Sequence, residues 1–276
     1  MPLKRNRKAT RLLFFLCLML CSLTISLWAA QQAEQPSADK ITTARARAEA
    51  QREQWRQTRT PMLMNDFGEL ARYRDANAQL KAASPQQDRV VFMGDSITDG
   101  WPLADYFPGK GYVDRGISGQ TTAQMLVRFR EDVIALQPRV VVILAGTNDI
   151  AGNTGPITLD EIEANYASMA ELARAHNIRV IFSSVLPVND YTPESQNYFP
   201  LRSPDQILEL NRWLKEYCAA QHFGYVDYFS AMTDEKGLLK RNLAEDGLHP
   251  NPAGYKIMAP LAAAAIEAAL SNVPGK

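Results

Sequence analysis

Four short clusters hold the residue types that activated-serine chemistry requires. They are Gly94-Asp95-Ser96-Ile97-Thr98, Gly116-Ile117-Ser118-Gly119-Gln120-Thr121, Ala145-Gly146-Thr147-Asn148-Asp149 and Asp246-Gly247-Leu248-His249-Pro250. A serine hydroxyl is a weak nucleophile until a neighbouring base takes its proton, and that base needs a third group to fix its tautomer. The chain offers three histidines. His176 and His222 each close a predicted helix, ahead of Asn177 and of Phe223-Gly224, where an imidazole complements the helix dipole. His249 stands instead in a loop punctuated by Gly and Pro, three residues after Asp246. That spacing lets the carboxylate reach Nδ1 and leaves Nε2 facing a substrate. Taken singly, the clusters have plainer readings. Asp and Ser are ordinary turn residues, and DGLHP before Asn251-Pro252 reads equally as a helix start with proline in the first turn.

The elements around these clusters follow an alternating plan. RVVFM at 89–93, VVVIL at 140–144 and RVIFSSV at 179–185 are buried strand candidates, with shorter ones in YVDRG at 112–116 and GYVDYF at 224–229. Amphipathic stretches at Thr121–Leu136, Leu159–His176, Pro204–Gln221 and Pro252–Leu270 predict the intervening helices. Strands alternating with helices imply a parallel sheet covered on both faces. In such sheets ligands bind outside the carboxyl ends of the strands, where three of the clusters fall; the fourth precedes the last helix.

In this order and at these intervals, GDSIT, GISGQTT, GTND and DGLHP closely resemble the SGNH/GDSL hydrolases, a family of serine esterases and acylhydrolases. The resemblance runs from about Arg89 to about Leu261. It implies a flavodoxin-like, three-layer α/β/α sandwich around a central parallel sheet of about five strands. It also implies that Ser96 is the nucleophile and, through its backbone N–H, one oxyanion donor. Gly119 corresponds to the second donor by its backbone N–H and Asn148 to the third by its side-chain amide; His249 corresponds to the general base and Asp246 to its orienting acid. A glycine lets the backbone approach a developing oxyanion, and an amide donates without adding charge. Gln120 departs from the pattern, since many relatives carry an acid there. Asp95 and Asp149 fit loop-bracing roles. The G-x-S-x-G elbow of the α/β-hydrolases does not surround Ser96.

The activity implied is hydrolysis of carboxylic esters through an acyl-enzyme, with short acyl (acetyl) groups on carbohydrate as the expected substrates. A lysophospholipase or thioesterase acting on longer chains is the alternative, and a non-catalytic glycan-binding module a more distant one. Trp101, Tyr106 and Phe107, with Tyr191, Tyr198 and Phe199 in a long loop, are expected at the cleft edge as sugar platforms or as loop anchors. No metal cluster, phosphate loop or dinucleotide fingerprint appears, so no cofactor is expected.

With 276 residues, 46% of them hydrophobic, the chain can bury one sizeable core. Lys4, Arg5, Arg7, Lys8 and Arg11 precede an apolar run from Leu12 to Trp28, the layout of a secretory signal; an uncleaved membrane anchor is the alternative, because no clean small-x-small cleavage site follows. The expected location is therefore periplasmic, secreted or anchored in the cell envelope. Without residues 1–30 the chain has 25 bases against 30 acids, which disfavours nucleic acid as a partner. Residues 31–61 (ARARAEAQREQWRQTR at their centre) read as a polar helical spacer. Residues 62–276 read as the catalytic domain, with an N-terminal helix over 62–84 and a core over 88–272. Cys218 is the one cysteine outside the leader, in helical register with Ile207, Leu210 and Leu214, and is expected to be buried packing.

Overall fold

The computed structural model describes residues 38–82 and 88–271; the leader over residues 1–30 lies outside them. Chain contacts define two units, Met1–Ala44 and Arg45–Lys276. The described part of the first is the opening of helix α1 (Ala38–Asn65), and the fold below belongs to the second.

Five strands form the centre: β1 (Val90–Gly94), β2 (Val113–Gly116), β3 (Val140–Leu144), β4 (Arg179–Ser183) and β5 (Gly224–Val226). They are parallel throughout and lie in the order β2-β1-β3-β4-β5. Because side chains alternate across a strand, Val91, Met93, Val141, Ile143, Val180 and Phe182 feed one apolar layer. Val90, Phe92, Val140, Val142, Leu144 and Ile181 feed the other. The first layer is closed by α3 (Thr122–Asp132), α4 (Leu159–Ala175) and α5 (Pro204–Gln221), through residues such as Phe129, Tyr166 and Leu214. The second is closed chiefly by α6 (Pro252–Ser271). By length and composition α6 could cross a membrane, yet Tyr255, Met258, Ala259, Ala262 and Ile266 are buried against the sheet. The result is the parallel sheet covered on both faces that the alternating pattern predicts, and the three-layer α/β/α sandwich of five strands that the resemblance implies. Cys218 is buried in the first layer, and burial pushes its thiol up to about 12, as befits packing.

Two stretches differ from expectation. Within the stretch expected as one helix over 62–84, the end of α1 at Asn65 is followed by a run of turns and then by the short α2 (Arg74–Ala82). The reason is local: both oxygens of the Asp66 carboxylate accept backbone N–H groups, of Leu70 at 2.9 Å and Ala71 at 2.9 Å, and Glu69 adopts φ 54°. The chain therefore folds back instead of continuing. The helix expected over Thr121–Leu136 ends at Asp132 and gives way to a single 3₁₀ turn over Ile134–Leu136.

Upstream, α1 runs through Pro61 without a break, so the expected boundary at Met62 falls inside a helix. Its Ala48 is fully buried, and Arg52 donates from Nη1 to the Ala151 carbonyl at 2.7 Å. Residues 48–59 thus pack on the domain, where sequence alone suggested a solvated spacer.

Candidate active site

Ser96 opens a four-residue helical turn, Ser96–Asp99, directly after β1. The junction is tight enough to require glycine at 94, where a Cβ would stand 2.0 Å from Thr98 Oγ1. Asp95 caps the turn by accepting from the Ile97 N–H at 2.9 Å, which leaves the Ser96 N–H at a helix start, where donors have no intrahelical acceptor.

His249 reaches the same point from the other end of the chain. Its Nε2 is 2.9 Å from Ser96 Oγ, and its Nδ1 is 2.6 Å from Asp246 Oδ2. Asp246 Oδ1 accepts the backbone N–H groups of Leu248 at 3.0 Å and His249 at 2.8 Å, so one carboxylate fixes both the loop and the ring. Burial by itself pushes the Asp246 carboxyl up, but the hydrogen bonds from the His249 ring, the His249 N–H and the Leu248 N–H outweigh it and hold the group at about 2. Asp246 is therefore an anion at any pH where a histidine can act as a base. The Tyr198 ring meets the imidazole edge to face at 5.5 Å.

The loops after β2 and β3 converge beside Ser96. Gly119 has φ +81°, and a Cβ there would lie 2.7 Å from Trp55 Cζ2 of α1; both facts demand glycine. Asn153 Nδ2 holds the Gly119 carbonyl at 2.9 Å. Asn148 Nδ2 donates one hydrogen to the Gln120 carbonyl at 3.1 Å, while its Oδ1 accepts from Arg202 Nη2 at 2.9 Å. An Nδ2 group carries two hydrogens, so one remains for a substrate. Asp149 ties the two loops together, accepting the Thr122 N–H at 3.0 Å and its hydroxyl at 2.5 Å. The whole arrangement lines a cavity of about 550 Å³ that contains Ser96, Gly119, Asn148 and His249.

A hydroxyl on an imidazole, an imidazole on a carboxylate, and amide donors converging nearby can perform acyl transfer. Residues 92–257 match the GDSL-like Lipase/Acylhydrolase family. The chain belongs to this family. It is 27% identical over 206 residues to an acetylxylan esterase from Geobacillus stearothermophilus, an alignment covering 62% of this chain and 90% of that one. A crystal structure of a catalytic mutant of an acetylxylan esterase from that organism aligns with a TM-score of 0.53 at 25% identity, over 66% of this chain and 95% of that one. A GDSL-like lipase from Bacteroides thetaiotaomicron aligns with a TM-score of 0.68 at 45% identity, over 74% of this chain and 99% of that one. An uncharacterised lipoprotein from Bacillus subtilis is 30% identical over 118 residues, 36% of this chain and 49% of the relative. The protein is accordingly a GDSL-type hydrolase acting on ester bonds.

All five residues that the sequence suggested for this GDSL-type site, Ser96, Gly119, Asn148, Asp246 and His249, line one cleft or support it directly. Gln120 is fully buried, accepting from Arg128 Nε at 2.6 Å and donating to the Gly68 carbonyl at 3.1 Å. An acid at this position could not make that donation. Asp95 and Asp149 brace their loops. Among the expected cleft aromatics, Trp101 and Phe107 are buried anchors of the second layer, Tyr191 bonds Asp234, and Tyr198 faces the site. Among the described residues, no group of three or more His, Cys, Asp or Glu is placed to hold a metal ion.

Sequence reasoning passed over two contributors. Arg202, fully enclosed, donates to Thr147 Oγ1 at 3.0 Å and to Asn148 Oδ1 at 2.9 Å; burial pulls its guanidinium down to about 10 against the opposing fields of Asp95, Tyr198 and Asp246. The other is α1, whose Arg52, Trp55 and Arg59 line the cavity.

Proposed function

We propose that the protein is an exported serine esterase that removes acetyl groups from carbohydrate. The observation that carries this reading is the continuous relay from Ser96 Oγ through His249 to Asp246, with contacts of 2.9 and 2.6 Å, opening into the cavity beside Gly119 and Asn148. His249 takes the serine proton as Ser96 Oγ attacks the ester carbonyl. Asp246 stabilises the imidazolium that forms. The N–H groups of Ser96 and Gly119 and the free N–H of Asn148 receive the oxyanion, where preorganised donors give the largest catalytic benefit. His249 then protonates the departing sugar oxygen, leaving an acetyl-enzyme, and activates the water that clears it.

The acetyl preference rests on the cavity wall. Polar side chains such as Gln51, Asn153 and Asn197 alternate along it with Ala48, Leu201 and Leu248, and Trp55 stands against the oxyanion glycine, a lining that offers a hydroxylated alcohol both hydrogen-bond partners and a ring to stack on. The similarity to acetylxylan esterase points the same way, whereas that to a GDSL-like lipase supports longer acyl chains as a second reading. Export is proposed from the basic, then apolar, leader, and one relative is named a lipoprotein; recovery of the full-length protein from the cytoplasmic fraction would refute it.

The test is kcat/KM for acetyl, butyryl, octanoyl and palmitoyl esters of one chromogenic alcohol, below micelle-forming concentrations. Each buried methylene contributes about 0.8 kcal/mol where an acyl channel exists, so a steady rise through octanoyl replaces the acetyl reading with the second one. Ser96→Ala is expected to abolish hydrolysis while leaving the circular dichroism spectrum unchanged; retained activity in a folded variant would sink the relay.

A further inference from the structure

Resting on the acetyl-ester reading, we propose that Arg52 forms a subsite for a carboxylate carried on the alcohol part of the substrate, so that acetylated acidic sugars are preferred over neutral ones. The acetyl group has no room for a charge of its own, so an anion recognised in this cavity belongs to the sugar.

Charge balance in the cavity favours an anion. Among the described residues, no Asp or Glu lines it, whereas Arg52, Arg59 and Arg202 do. Two of these cations are already engaged. Arg59 pairs with Glu69 at 2.5 Å through Nη2 and lies over the Trp55 ring at 4.9 Å, although its Nε, like that of Arg52, is buried without a partner. Arg202 is enclosed and spends its donors on Thr147, Asn148 and the Tyr198 carbonyl.

Arg52 differs. Among the described residues it forms no ion pair; Nη1 bonds the Ala151 carbonyl, and Nε is buried with no partner. Nη2, which has no hydrogen-bond partner among the described residues, is the nitrogen left to meet a carboxylate oxygen from the cavity in a charge-assisted hydrogen bond. The bond to Ala151 O fixes the group, so little side-chain freedom is lost on binding. α1 therefore contributes a recognition surface that the β-strand loops do not supply.

Ser96→Ala protein, which cannot turn substrate over, allows binding to be measured apart from catalysis. Calorimetric titration at low salt with glucuronate and with glucose should give a Kd at least tenfold lower for glucuronate, about 1.4 kcal/mol, shrinking as salt rises. Arg52→Gln in this background should erase the difference, and Arg52→Lys should keep part of it, which separates lost charge from a disturbed helix. Equal affinity for the two sugars, or a difference that survives Arg52→Gln, overturns the subsite. Glucose 6-phosphate binding tenfold tighter than glucuronate would overturn the carboxylate assignment. In the active enzyme, kcat/KM for O-acetylglucuronate should exceed that for the matching O-acetylglucose, and Arg52→Gln should lower the first at least tenfold more than the second. Equal turnover of both esters refutes the subsite and leaves the acetyl esterase standing. Glucuronate selectivity in the binding experiment without hydrolysis of either acetyl ester refutes the acetyl reading and leaves the subsite standing.

Discussion

Asp246 makes three hydrogen bonds through one carboxylate, to Leu248 N, His249 N and His249 Nδ1, and this sets what its loss should do. Asp246→Asn keeps the shape but offers Nδ1 an amide, favouring the wrong tautomer; kcat is expected to fall about 10⁴-fold, the loss known for this change in a serine protease. A loss below about tenfold in steady-state assays would mean that another group orients His249. Asn148→Ala should cost about 10²–10³ in kcat with a smaller change in KM, since an oxyanion donor strengthens toward the transition state. Arg202 is expected to act through that amide, which it bonds at 2.9 Å. With a guanidinium on Oδ1 the Asn148 carboxamide cannot flip, and its N–H is polarised toward the oxyanion. Arg202→Gln should therefore lower kcat about tenfold, equivalent to about 1.4 kcal/mol, with KM little changed. The double variant with Asn148→Ala should be no slower than Asn148→Ala alone; additive losses would remove Arg202 from this role. The convergence of Ser96, Asp246 and His249 was legible in the sequence because activated-serine chemistry tolerates few other residue types and their neighbours form ordered motifs. Arg202 was not, because it meets Asn148 across 54 residues of chain, and a lone arginine in an aromatic loop has no periodicity to betray it.

At the scale of elements, the sheet and its long helices were readable because burial on both faces forces continuous β-branched runs such as Val140–Leu144, and a one-sided helix forces the spacing seen at Ile207, Leu210, Leu214 and Cys218. α1 defeated the same logic. It is polar around its circumference, with surface pairs such as Arg45–Glu49, and such helices usually read as solvated. It docks by a few discrete contacts instead, chiefly Ala48, Arg52 and Trp55, which leave no periodic trace. Its short apolar contact set also means that it depends on the domain for stability, as most helices do. Deleting residues 1–30 should leave esterase activity intact in the soluble protein. Deleting residues 1–61 should lower kcat/KM at least tenfold, about 1.4 kcal/mol of transition-state stabilisation, because one wall of the cavity goes with α1. Equal kcat/KM for the two truncations, measured on the same acetyl ester, would show that the wall contributes nothing to turnover.

Across the whole molecule, the carboxylates divide into two groups with opposite effects on stability. Burial raises Asp95, Asp114 and Asp149 to about 6 each, and Asp95 Oδ2 has no hydrogen-bond partner. In the unfolded chain these groups titrate near the ordinary aspartate value, about 3.9. Between about pH 4 and pH 6 the folded protein therefore holds more protons than the unfolded chain, and stability falls as pH rises through that window. Asp246 acts in the other direction. Its folded value of about 2 lies below the unfolded one, so its contribution is fully present above about pH 4 and is lost only as the pH drops toward 2. The two effects meet near pH 4, so the summed contribution of these four carboxylates is greatest below about pH 4 and declines as the pH rises toward 6. Thermal unfolding of the protein lacking residues 1–30 should show a higher midpoint at pH 5 than at pH 7.5. Each kcal/mol of this linkage corresponds to about 2–4 °C for a domain of this size. Asp95→Asn removes one of the three raised groups without changing the side-chain shape, and should reduce the difference between the two midpoints. A midpoint that climbs from pH 5 to pH 7.5, or a difference unaltered by Asp95→Asn, would show that these aspartates do not carry the pH dependence of the fold.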